Sequence, residues 1–78
     1  MDWREHIHSD KAVLLGKPVI KGTRISVELI VELFETGWTE AMILENYPHI
    51  TSEKIKAIFA YIKECMQQEL LFPFQKIV

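Results

Sequence analysis

One decapeptide constrains this chain more than any other feature: Gly16-Lys17-Pro18-Val19-Ile20-Lys21-Gly22-Thr23-Arg24-Ile25. It sets two glycines, a proline and three cations around a Val-Ile pair. Gly16 and Gly22 can take the positive-φ conformations that tight turns require. Pro18 fixes its own φ and pushes Lys17 toward extended geometry. The stretch therefore reads as turn, short strand, turn and helix start. The chain downstream of Ile25 has the spacing of three helices, and a three-helix unit behind a basic lead-in segment is a common way to hold nucleic acid.

The first predicted helix runs from about Ser26 to Thr36. Ser26 is a good N-cap and Glu28 lies in the first turn, where the helix dipole favours an anion. Val27, Ile30, Val31 and Phe34 give the i, i+3, i+4, i+7 stripe, widened by Leu29 and Leu33. Gly37 is placed to follow the C-cap, and Trp38 is expected to cover the core. The second helix starts at Thr39 as N-cap and stops before Pro48, with Ile43 and Leu44 inward beside Ala41 or Tyr47. The third begins at Thr51 or Ser52 and continues to about Leu70. Its expected core stripe is Ile55, Ile58, Phe59 and Ile62, then Cys65 or Met66, with Lys54, Lys56, Tyr61, Lys63 and Glu64 off it. Upstream, His6-Ile7-His8 and Pro18-Val19-Ile20 are β-like, Ser9-Asp10 is a turn signal, and Val13-Leu14-Leu15 falls in the connection. A two-stranded ribbon is unstable alone and must lean on the helices. The expected fold is mostly α: a three-helix bundle preceded by a short β-hairpin or ribbon. It is one domain, with a ribbon over residues 1–25, a bundle over 26–69 and an apolar tail over 70–78.

At 78 residues the chain is near the size where a lone hydrophobic core is marginal, yet 49% of it is apolar. Self-association or a partner is expected. The single Cys65 forms no intrachain disulfide, which fits a reducing cytoplasm. The N-terminus lacks the apolar stretch of a signal peptide, and no apolar run approaches the length of a bilayer span, so no membrane role is expected. Catalysis is not expected either. His6 and His8 could bind a metal from a strand, but no further ligand is spaced to complete a site. The glycine-lysine segment is not a phosphate-binding loop, because Lys21 precedes Gly22 where that motif has lysine after the glycine and then Ser or Thr. No cofactor is expected.

The net charge of −2 argues against nucleic acid, but its distribution does not. Residues 26–53 hold six acids (Glu28, Glu32, Glu35, Glu40, Glu45, Glu53) and neither Lys nor Arg, while the cations gather on both sides. The second and third helices, joined by Pro48-His49-Ile50, are spaced as a helix-turn-helix, in which the start of the latter helix meets the major groove. Here that start offers Thr51, Ser52, Lys54 and Lys56, with Lys17, Lys21 and Arg24 on the ribbon beside it. These seven are the candidate nucleic-acid contacts, hydroxyls and cations suited to phosphate. The third helix contains no arginine, so bidentate reading of guanine from it is unavailable. A plainer reading stands beside this one: Thr51 and Ser52 cap the helix, the lysines form a solvated face, and Arg24 pairs with Asp10, Glu28 or another acid of the acid-rich middle. The tail is the second clue. Leu71, Phe72, Phe74 and Ile77 are costly to leave in water, so they fold back, exchange between subunits or dock on a partner.

The decapeptide, with Val27-Glu28, Gly37-Trp38-Thr39, Ile43-Leu44-Glu45-Asn46-Tyr47-Pro48 and Thr51, closely resembles a small bacterial family, the domain of unknown function 433, over roughly residues 7–66. Lys11 departs from the family pattern, which often has proline after Ser-Asp. The resemblance implies a homeodomain-like three-helix fold and a role as an antitoxin paired with a toxin resembling a PIN-type ribonuclease. On that footing the protein is expected to be a cytoplasmic homodimer that binds DNA to regulate its own operon. Its partner-binding residues would be Leu71, Phe72, Phe74 and Ile77. The competing expectation is a dimeric protein-interaction module without a nucleic-acid role.

Overall fold

The computed structural model describes residues 1–68. The order of elements is a 3-10 turn at Trp3–Glu5, β1 (Ile7–His8), a second such turn at Leu14–Gly16, β2 (Val19–Ile20), α1 (Val27–Glu35), α2 (Glu40–Asn46) and α3 (Ser52–Gln67). The strands pair antiparallel, Ile7 with Ile20 and His8 with Val19. The expected class, three helices behind a short hairpin, is the observed one.

Each helix starts where its cap allows. Ser26 Oγ accepts from Leu29 N (2.9 Å), Thr39 Oγ1 from Met42 N (3.2 Å) and Thr51 Oγ1 from Lys54 N (3.3 Å). α1 ends in a Schellman motif: Gly37 N donates to Phe34 O (3.0 Å) and Trp38 N to Leu33 O (2.9 Å), with Gly37 at φ 102°. α2 ends at Asn46, two residues before Pro48, as the proline requires.

The Lys21–Ile25 segment is a turn built around Thr23. Its hydroxyl donates to Ile20 O (2.8 Å) and accepts from Ile25 N (3.0 Å). Ile20 N donates to Ile25 O (2.9 Å), and Val19 bridges to Ser26, so β2 is paired on both sides. Gly22, at φ 79°, makes the reversal possible. Upstream, Asp10 closes the expected turn, its Oδ1 accepting from Ala12 N (2.9 Å) and its carbonyl from Val13 N (2.8 Å). Leu14 and Leu15 then stand at φ 48° and 58°, left-handed conformations unusual for leucine, and Leu15 is 94% exposed.

The core is rich in isoleucine: Ile7 and Ile20 from the hairpin, Val27 and Ile30 from α1, Ile43 from α2, Ile50 from the turn, and Ile55, Ala57 and Ile58 from α3. No polar or charged residue is buried among the described residues. Trp38, Leu44 and Tyr47 pack partly buried against this cluster, whereas Ala41 is exposed. The expected stripes of α1 and α3 need correction: Val31 is exposed, and Tyr61, expected off the stripe of α3, is partly buried against the core. Phe59 is not core; it is 54% exposed, and Met66 is exposed as well. The N-terminal segment causes the shift. Trp3 meets Tyr61 edge to face at 4.9 Å, and Arg4 Nη2 donates to Glu64 Oε2 at 2.8 Å. This covers the flank of α3 that carries Ala57 and Tyr61, and turns the opposite flank, with Phe59, to solvent.

Candidate nucleic-acid interface

α2 and α3 meet across Tyr47-Pro48-His49-Ile50. Ile50 is buried, and its N–H donates to Tyr47 O (2.8 Å), which holds the turn tight. Burial of Ile55, Ala57 and Ile58 on one side of α3 leaves the other side open. Ser52, Lys56, Phe59, Lys63 and Met66 are all exposed there. Their alternating spacings of four and three residues set them on one line along the helix. Phe59 leans on Phe34 of α1, with ring centroids 5.8 Å apart and planes tilted by 54°. Lys63, off the core stripe by its spacing, is not one of the seven candidate contacts. Its place seven residues after Lys56 was the available signal.

The seven candidates divide by what already holds them. Lys54 is half-buried and its Nζ donates to His49 O (2.9 Å), so its charge ties α3 to the preceding turn. Thr51 caps α3 with its hydroxyl oxygen. Lys17 Nζ donates to Glu28 Oε1 (2.8 Å) across the start of α1. That hydrogen bond, and then the opposite charge, hold the Lys17 ammonium above its ordinary pKa and the Glu28 carboxyl below its own. Arg24 pairs with neither Asp10 nor Glu28, since Lys17 occupies Glu28 and Asp10 serves its own turn. Lys21, Arg24, Ser52 and Lys56 are exposed, and the three cations form no ion pair among the described residues.

The open end of the hairpin faces the start of α3 through His6. Lys21 N donates to His6 O (2.9 Å), and the His6 ring reaches Glu53 in the first turn of α3 at 4.0 Å. Lys21 is thus linked to the first turn of α3 only through His6 and Glu53. His6 and His8 flank the buried Ile7, and no group of three or more metal-ligating side chains is assembled among the described residues. A shallow cleft of about 290 Å³ lies between Lys17, Pro18, Val27, Glu28 and Tyr61, on the flank away from Phe59. Leu71, Phe72, Phe74 and Ile77 lie outside the described residues. No helix among the described residues is long and apolar enough to cross a membrane.

The family profile described as protein of unknown function (DUF433) matches residues 7–62. A crystal structure of a DUF433 member from Anabaena variabilis superposes with a TM-score of 0.72 at 31% identity, over 80% of this chain and 61% of that one. The chain thus spans less than two thirds of that protein's length. No curated protein matches it. Profile, identity and fold agree, and the chain belongs to the DUF433 family.

Proposed function

We propose that this protein is a type II antitoxin that binds DNA as a homodimer to regulate its own operon and restrains a PIN-like ribonuclease toxin. The observation that carries the DNA-binding half is the open face of α3. A helix-turn-helix presents Ser52, Lys56, Phe59 and Lys63 to solvent, and Lys21 and Arg24 are exposed on the turn after β2. Hydroxyls and cations so placed suit the phosphates on either side of a major groove, and a dimer suits paired half-sites. The toxin-binding half rests on the apolar composition of residues 70–78 and on the family resemblance.

Retardation of the DNA upstream of the gene tests the first half. Four phosphate contacts per protomer, from Lys21, Arg24, Lys56 and Lys63, make eight for the dimer and give a log–log salt slope of about −7.2, or about 20,000-fold weaker binding between about 50 and 200 mM salt. Flat salt dependence, or no retardation at low salt, refutes it. Co-purification with the product of the neighbouring gene tests the second half, comparing the full chain with one ending at Glu69. A complex lost on truncation supports the tail as the toxin contact; no complex with a folded full chain refutes the pairing.

A second reading, a protein-interaction module without nucleic acid, draws on one observation. Val31, Phe59 and Met66 are all more than 40% exposed, an apolar surface that a protein partner could cover.

A further inference from the structure

Phe59 is the odd member of the open face of α3. Its ring is 54% exposed and sits midway between two lysines, three residues after Lys56 and four before Lys63. Phe34 supports one side of it, so the exposed part has a fixed direction. An aromatic held this way presents apolar surface at a defined point between two cations.

Charge decides what can cover it. A second copy docked on the same face about Phe59 would set Lys56 and Lys63 against the partner's own lysines, and like charges so placed are repelled. The stripe Ser52, Lys56, Phe59, Lys63, Met66 contains no acid to offset them. The occupant must be anionic at both ends and apolar at its centre. Duplex DNA has that pattern, with phosphate walls and one apolar group on the floor of the major groove, the C5 methyl of thymine. Hydrogen-bonded reading is scarce here, because Ser52 is the sole polar uncharged side chain on the stripe and no arginine or asparagine occurs in α3.

We propose that Phe59 is the base-reading residue of α3 and recognises the thymine methyl in the major groove, which makes the ligand duplex DNA and not RNA. This rests on the DNA-binding reading above. It explains why a large apolar side chain occupies the centre of a lysine-flanked face. It also assigns separate roles to neighbours: Lys56 and Lys63 position the helix on phosphates, and Phe59 chooses the sequence.

The test uses the full chain and duplexes enriched by it from a random pool, each made once with thymine and once with uracil, with binding followed by fluorescence anisotropy. Uracil differs by the methyl alone, so affinity falls about 4-fold for each contacted methyl, the transfer free energy of one buried CH₂ group. Phe59→Ala and Phe59→Gln abolish the thymine–uracil difference and leave the salt slope unchanged; Phe59→Leu retains the difference. Circular dichroism checks that each variant is folded. Equal affinity of the unaltered chain for both duplexes overturns the assignment without any variant; if that binding still weakens with salt, the DNA-binding reading survives. Binding to poly-glutamate with no duplex binding at low salt overturns both and makes an acidic protein the partner of this face.

Discussion

Leu15 is the clearest place where the fold is less stable than it could be. Its backbone sits at φ 58°, ψ 30°, left-handed, and its side chain is 94% exposed. The left-handed conformation costs an ordinary L-residue about 1–2 kcal/mol, a cost that asparagine largely escapes through local hydrogen bonding. Burial offsets little of it. Fully burying a leucine contributes about 1.5–3 kcal/mol, and the buried sliver of Leu15 accounts for only about 0.1–0.2 kcal/mol of that. Leu15→Asn should therefore stabilise the protein by about 1 kcal/mol, which raises Tm by about 4–8 °C in a domain of this size. Leu15→Gly should gain less, about 0.5 kcal/mol, because glycine has more unfolded-state entropy to lose. Leu15→Val should lower Tm, since a β-branched side chain tolerates this region worst. Thermal and urea unfolding followed by circular dichroism give all three values. If Leu15→Asn is neutral or destabilising while Leu15→Val is harmless, the backbone there is not strained and the reasoning fails.

Thr23→Val should cost about 1–2 kcal/mol in urea unfolding, because it removes both hydroxyl hydrogen bonds and leaves Ile25 N–H unpaired; an unchanged midpoint would show that the turn does not depend on them. Lys63→Ala removes two phosphate contacts per dimer and should lower the steepness of log affinity against log salt by about 1.8 with DNA; an unchanged slope would remove Lys63 from the phosphate contacts. The Lys17–Glu28 pair predicts a pH signature. Because the Glu28 pKa is depressed, its stabilisation is present above the ordinary carboxylate range and fades as pH falls through the lowered value; because the Lys17 pKa is raised, its own is present below the ordinary amine range and fades as pH rises through the raised value. The Tm difference between the natural chain and Lys17→Met should accordingly be small and flat at intermediate pH, and vanish at both extremes. A difference that grows in acid would refute the pairing. Both groups are exposed, so salt should shrink it too.

Helix boundaries were legible in the sequence because short-range chemistry sets them. Ser26, Thr39 and Thr51 cap with their own hydroxyls, Gly37 closes α1 and Pro48 stops α2, each within a few residues of the backbone it acts on. The hairpin was legible for the same reason, through Asp10 and Gly22. Phe59 was misplaced because the face α3 buries is settled from a distance. Trp3 and Arg4 lie on α3 at its Tyr61 and Glu64 side, and periodicity within α3 contains no trace of them. Within the candidate interface, Lys17 and Lys54 look like Lys56 in sequence. They are distinguished only by acceptors, Glu28 Oε1 and His49 O, that the fold places beside them. Lys63 lies three turns beyond the helix start, where only the burial of Ile55, Ala57 and Ile58 on the other side of α3 shows that the open face continues.

The clasp between the first residues and α3 also bears on how the protein is made. Arg4 and Glu64 are 60 positions apart. At about 5–20 residues per second, the ribosome supplies Glu64 about 3–12 s after Arg4. During that interval the ribbon strands, unstable as a pair, have no α3 to rest on, and Ile7 and Ile20 lack the Ile55 and Ile58 surface that completes their core. A nascent chain in this state exposes apolar surface to chaperones and proteases. A chain that ends before α3 lacks Ile55, Ala57 and Ile58, and with them the surface on which the ribbon closes its core.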